Sequence, residues 1–158
     1  MSTETATTTS AEAEATLGNW KAGVLGGLAG GLVFGAMMTM MMANIMETAI
    51  PMMYGIEGPA GAVGWTIHMG HAAVLGVVFA AVVGVAGLGG RSGQMLVGVG
   101  IAYGLALWVV LATFLMPAWV GAMGPMSPPV PDVNPMSAVG HAVYGAVLGG
   151  VYYALEEL

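Results

Sequence analysis

Residues 61–87 read GAVGWTIHMGHAAVLGVVFAAVVGVAG and contain no Asp, Glu, Lys or Arg. A helix of about 20 apolar residues crosses the hydrocarbon core of a bilayer, so this stretch predicts a transmembrane helix. Three further apolar stretches lie at about 19–46, 94–120 and 136–155. Lipid forces backbone groups to pair internally, and these stretches lack the alternation of membrane strands. We therefore predict an all-α fold, a bundle of four transmembrane helices.

The composition excludes several classes of protein. Of the 158 residues, 58% are hydrophobic and 6% are charged, whereas an average soluble domain is about 25% charged. A free-standing soluble domain is therefore excluded. Two basic residues are too few to neutralise a phosphate backbone, and the absence of Cys rules out disulfides and thiolate metal sites. We expect the lipid bilayer as partner and no nucleic acid, and we leave open a homo-oligomer or a partner subunit in the membrane.

The few charges also predict the organisation of the chain. Residues 1–18 are rich in Thr, Ala and Glu without apolar periodicity, which predicts a disordered acidic tail before a membrane domain at 19–157. Lys21 lies at the start of the first span and Arg91 lies between the second and third, so both fall on one side of a four-span protein. The positive-inside rule then predicts a multi-pass protein of the cell membrane with both termini cytoplasmic.

The second and fourth spans share a pattern. The segment HMGHAAVLGVVFA begins at His68 and HAVYGAVLGGVYY begins at His141, an offset of 141 − 68 = 73 residues. At the same offset GLAGG (27–31) matches GIAYG (100–104). We interpret the chain as two parallel repeats of a two-helix hairpin.

Small residues recur every four positions within the spans. This spacing places them on one helix face, where the lack of a side chain lets two backbones approach closely, as in a glycine zipper. The glycines that we assign to helix packing are Gly23, Gly27, Gly31, Gly35, Gly76 and Gly149.

Besides Lys21, four ionisable residues lie within or at the ends of the spans. They are His68, His71, His141 and Glu47, which ends the first stretch on the side where the second and fourth spans begin. Ionisable groups in a span are costly and commonly functional, so we expect one polar cluster near the outer face. The histidines could make only interhelical hydrogen bonds, bind a divalent metal, ligate haem through His68 and His141, or relay protons.

The function classes follow from this cluster. The spans carry no catalytic set at a plausible depth, so we predict no enzymatic activity. We expect a membrane scaffold or a small-solute or ion-handling component, with no cofactor. The alternative is an electron-transfer membrane subunit that binds haem b or a divalent metal through the intramembrane histidines.

Three segments carry a resemblance to a known group of proteins. They are HMGH (68–71), AIPMMYG (49–55) and HAVYGAVLG (141–149). Over about Trp20–Tyr153 the chain resembles small four-helix integral membrane proteins of halophilic archaea, for which no activity is established. The resemblance implies fold and location only. Such sequences are sometimes labelled histidine kinase, a label that this sequence does not support because it has no nucleotide-binding glycine motif in an α/β context.

Overall fold

The computed structural model describes residues 17–157. Every regular element within this range is helical. Four helices are long and apolar enough to cross a membrane, namely Trp20–Met41, Gly61–Val85, Gly93–Met123 and Pro135–Leu155. The prediction of an all-α fold with four such helices is confirmed, and the fold is compatible with a multi-pass membrane protein. The acidic tail predicted at 1–18 lies almost wholly outside the described residues.

Six α-helices and two π-helical segments follow one another within residues 17–157. They are α1 (Trp20–Met41), π1 (Ile45–Ala49), α2 (Ile50–Met52), α3 (Gly61–Val85), α4 (Gly93–Leu107), π2 (Trp108–Leu115), α5 (Met116–Met123) and α6 (Pro135–Leu155). Three of the long helices begin at a polar residue whose side-chain oxygen accepts backbone N–H groups of the first turn. These capping residues are Asn19, Ser92 and Asn134.

Neighbouring long helices pack against each other in the order α3, α1, α6, α4. Helix α1 packs on both α3 and α6, and α4 packs on α6, whereas α3 and α4 approach each other little. At the crossings backbone meets backbone. A methyl group at Gly27 would overlap the carbonyl oxygen of Ala72, and one at Gly100 would overlap that of Gly145.

The other glycines assigned to packing also lie at contacts between helices. Gly23 and Gly76 face each other across α1 and α3, and Gly149 lies on the backbone of Leu96 in α4. Gly31 faces the side chains of Ala72, Met69 and His68, and Gly35 faces the ring of Trp65, where a methyl group would come within 2.6 Å.

One end of the bundle gathers the start of α1, the α3–α4 loop and the end of α6. The side-chain amide of Asn19 donates to the carbonyl oxygen of Glu156 at 3.2 Å, and the Gly90 N–H donates to the Glu156 carboxylate at 3.4 Å. Lys21 and Arg91 are both exposed at this Glu156 end. The two basic residues therefore share one end of the bundle, as their positions in a four-span chain require.

At the opposite end two prolines shape the chain. Proline has no N–H, so Pro51 and Pro117 cannot donate to the carbonyl four residues earlier. Those carbonyls are satisfied by returning loops, since Ala60 N–H donates to Glu47 O at 2.8 Å and Asp132 N–H donates to Thr113 O at 2.9 Å. The π-helical segments π1 and π2 lie just before these prolines, which fits the tendency of helices to deform near a missing hydrogen bond. We call this the cap end, formed by residues 45–60 and 124–134.

The boundaries of two spans differ from the expected ones. The stretch at 19–46 is not one helix, because the backbone leaves helical geometry at Met42, with φ −143° and ψ 45°. The stretch expected to end near 120 continues through π2 to Met123. The proline-rich loop after it folds back onto π2 through the Asp132–Thr113 hydrogen bond.

Candidate functional site

A cavity of about 470 Å³ lies towards the cap end, between α3 and the α4–π2 segment. Its floor comes from α1 and α6, and its roof from π1, α2 and the 126–134 loop. Most of the lining is apolar. The polar residues that line it are Asn44, His68, His71, Asp132, Asn134, Ser137, His141 and Tyr144.

His68 of α3 lies against Gly31 of α1, which has no side chain. Its Nε2–H donates to the Gly31 carbonyl oxygen at 2.8 Å, and the residue is only 9% exposed. Because a carbonyl only accepts, this hydrogen bond places the proton of the neutral ring on Nε2 and leaves a lone pair on Nδ1. The rings of Phe34 and Trp65 pack edge-on at centroid distances of 5.8 and 6.1 Å and fix the imidazole plane.

His141 has the opposite tautomer. Its Nδ1–H donates to the carbonyl oxygen of Ser137, one turn earlier in α6, at 2.8 Å. The neutral ring therefore keeps its lone pair on Nε2. Phe34 also packs edge-on against this ring, at a centroid distance of 4.8 Å. One phenyl ring thus contacts both His68 and His141.

His71 connects the cavity to the cap end. Its Nε2 is 2.8 Å from the hydroxyl oxygen of Tyr54, a partly exposed residue of the α2–α3 loop. Tyr54 in turn packs on Trp119 of α5, with 5.9 Å between the ring centroids. This chain of contacts joins α3 to α5 across the roof of the cavity.

The carboxylate of the cavity is not the expected one. The three histidines line one cavity, but Glu47 lies exposed on π1 and outside the lining. Asp132 lines the cavity instead, because its backbone N–H is bound to Thr113 O. The sequence signal for Asp132 was Pro117, whose missing N–H leaves a buried carbonyl that a loop must satisfy.

The arrangement of these residues bears on metal and haem. Residues 17–157 contain no group of three or more His, Cys, Asp or Glu side chains placed to hold a metal ion. Phe34 packs against both histidines proposed as haem ligands, and Nε2 of His68 and Nδ1 of His141 each donate to a carbonyl oxygen. Haem ligation through these two nitrogens would require both hydrogen bonds to break.

The cavity combines apolar walls with hydrogen-bonding groups at one end. Such a cavity suits a small molecule with an apolar body and a few polar groups. Comparison with known proteins adds no guide to its ligand, since no family model, curated protein or solved structure matches the chain.

Proposed function

We propose that this chain is a multi-pass protein of the cell membrane that binds a small solute in the cavity between α3 and α4. The observation that carries the proposal is the cavity itself, about 470 Å³ in volume and lined by three histidines of the spans. A purely structural scaffold gives no reason to keep such a space, because tight packing is the main source of helix association in lipid. We assign no catalytic step to the cavity.

The proposed orientation places the Glu156 end in the cytoplasm. The support is the common position of Lys21 and Arg91 at that end and the excess of basic residues in cytoplasmic loops. The cavity then lies towards the outer face of the membrane. Its polar end is within reach of the outer interface, and its apolar walls lie deeper.

We also propose that the two hairpins, α1–α3 and α4–α6, derive from a duplication. Contacts at matched positions support this. Gly27 meets Ala72 in the first hairpin, and Gly100 meets Gly145 in the second. Each partner of the second pair lies one repeat offset beyond its counterpart, and so the two hairpins cross at equivalent points.

Thiol labelling tests whether the cavity admits a small molecule. The chain contains no Cys, so a Ser137→Cys variant carries a single thiol in the cavity lining. We expect N-ethylmaleimide, which is small and enters membranes, to label this variant. Ala22→Cys, at a residue that is 0% exposed in the α1 packing core, should stay unlabelled, and Gly89→Cys in the exposed α3–α4 loop should react fully.

The labelling result decides between a binding protein and a scaffold. Labelling of Ser137→Cys but not of Ala22→Cys supports the solute-binding proposal. If Ser137→Cys is as unreactive as Ala22→Cys while Gly89→Cys reacts, the cavity is closed to solutes and the scaffold interpretation replaces it. The haem or metal alternative stays a prediction, to be tested by the absorption spectrum and metal content of the purified protein.

A further inference from the structure

We propose that the solute is a single-tailed amphiphile whose head donates hydrogen bonds, an alcohol or an amine, and that it enters from the lipid between α3 and α4. The inference rests on the proposed function and names the chemical class of its ligand. Three features carry it, namely the gap between the two helices, the exposed apolar walls of that gap, and the unpaired acceptors at its polar end.

The two contacts between the hairpins, α1 with α6 and α3 with α4, differ in the size of their residues. Between α1 and α6, the glycines Gly26, Gly30 and Gly140 let the two helices touch. A methyl group at Gly30 would lie 2.7 Å from the carbonyl oxygen of Tyr144. Between α3 and α4, the residues at the matching repeat positions are Val99, Tyr103 and Ile67. These large side chains hold α3 and α4 apart. The Tyr103 hydroxyl crosses the remaining space and donates to the Leu75 carbonyl oxygen at 2.8 Å.

The gap opens sideways. Val74 of α3 and Leu115 of π2 both line the cavity and yet remain 63% and 48% exposed. Val74 lies thirteen residues after the start of α3 at Gly61, or roughly 20 Å along the helix at 1.5 Å per residue. In a spanning helix this depth is the acyl region of the bilayer, so the opening faces lipid and suits an apolar tail.

The polar end of the cavity offers acceptors beside the donor groups of Asn44 and Ser137. The hydrogen bonds to carbonyl oxygens leave lone pairs on Nδ1 of His68 and Nε2 of His141. Asp132 adds a carboxylate, and the chain's basic side chains, Lys21 and Arg91, lie at the opposite end of the bundle. A head that donates, such as a hydroxyl or an ammonium group, complements this set. A carboxylate head only accepts and would be repelled by Asp132.

Binding of three twelve-carbon probes tests the ligand class. The full chain in lipid nanodiscs is titrated with dodecanol, dodecylamine and dodecanoate, and complexes are counted by native mass spectrometry. We expect one dodecanol or dodecylamine per chain, and dodecanoate at least about tenfold weaker, the effect of one lost charge-assisted hydrogen bond. Asp132→Asn keeps the backbone hydrogen bond to Thr113 and should weaken dodecylamine about tenfold while dodecanol is unchanged.

A second pair of variants tests the lateral route. Val74→Trp should fill the opening and reduce binding of both probes about tenfold or more. Val78→Trp is the matched control, one turn further along α3, 45% exposed and outside the cavity lining. Ala112→Phe on the opposite wall should act like Val74→Trp, and thermal unfolding shows whether each variant remains folded.

Each unfavourable result overturns a defined part of the proposal. Equal binding of dodecanoate and dodecanol overturns the donor head. Equal binding by the Val74→Trp and Val78→Trp proteins overturns access between α3 and α4. If no probe binds while Ser137→Cys is labelled, the amphiphile is wrong and the solute-binding proposal stands. If Ser137→Cys is not labelled either, both are wrong.

Discussion

Replacing Gly27 by Ala tests whether the helix crossings depend on the absence of a side chain. The added methyl group would overlap the Ala72 carbonyl oxygen and lie 3.0 Å from the Gly76 Cα. Both neighbours are backbone atoms of α3, so no side-chain rotation relieves the overlap. Gly98→Ala is the matched control, because Gly98 is also within a long helix and a methyl group there meets nothing within 4 Å.

The size of the effect follows from these contacts. Ordinary van der Waals contact begins near 3.4 Å, so α1 and α3 must separate by roughly 1 Å, which forfeits a quarter to a half of the dispersion energy of each displaced contact. Overpacking of this kind costs about 1–3 kcal/mol. Both alanines also gain helix propensity, about 1 kcal/mol, and the difference between the two variants removes that common gain.

The assay is unfolding in mixed micelles by SDS titration, followed by far-ultraviolet circular dichroism. We expect Gly27→Ala to be less stable than Gly98→Ala by about 1–3 kcal/mol. Gly100→Ala should lower the free energy of unfolding by a similar amount, because its methyl group would overlap the Gly145 carbonyl oxygen in the same way. If Gly27→Ala and Gly98→Ala differ by less than about 0.5 kcal/mol, close backbone packing is not what holds α1 to α3.

Three further outcomes are expected. Tyr103→Phe removes the hydroxyl that bridges α3 and α4 and should cost about 0.6 kcal/mol in the same SDS titration, whereas Tyr153→Phe at an exposed position of α6 should cost less; equal losses would argue against the bridge. An impermeant maleimide should label Gly89→Cys only from the cytoplasmic side and Gly58→Cys only from outside, and the reverse pattern would overturn the proposed orientation. Protein purified from cells supplied with haem should show no Soret band, because both candidate ligands pack against Phe34 and donate to carbonyl oxygens. A band lost in His141→Ala would restore the electron-transfer alternative.

The four long apolar helices could be predicted from hydropathy because lipid allows few alternatives to a helix for an uncharged apolar stretch. The details at the cap end could not. The expectation that Glu47 joins the histidines assumed a straight helix through Met46. The backbone break at Met42 and the π1 segment instead turn Met46 and Ala49 inwards and leave Glu47 exposed.

The place of Asp132 was hidden for a related reason. A proline-rich loop has no periodicity from which its path can be derived, so its contacts depend on partners elsewhere in the chain. Pro117 supplied the needed constraint, since it frees the Thr113 carbonyl that the Asp132 N–H binds. An apolar stretch that contains a proline therefore predicts where a neighbouring loop must return. The resemblance to proteins of halophilic archaea and the duplication stay predictions.

The difference between the α1–α6 contact and the α3–α4 gap bears on the number of ligands bound per chain. If two identical but separate hairpins paired about a two-fold axis, the same contact would form twice. Both contacts would then be closed, or both would leave a gap. A single chain that carries both hairpins is free of this constraint. Gly26 and Gly30 let α1 and α6 close together, whereas Val99 and Tyr103 hold α3 and α4 apart. Saturation at one amphiphile per chain, whatever the number of chains in an assembly, is the consequence for any binding isotherm.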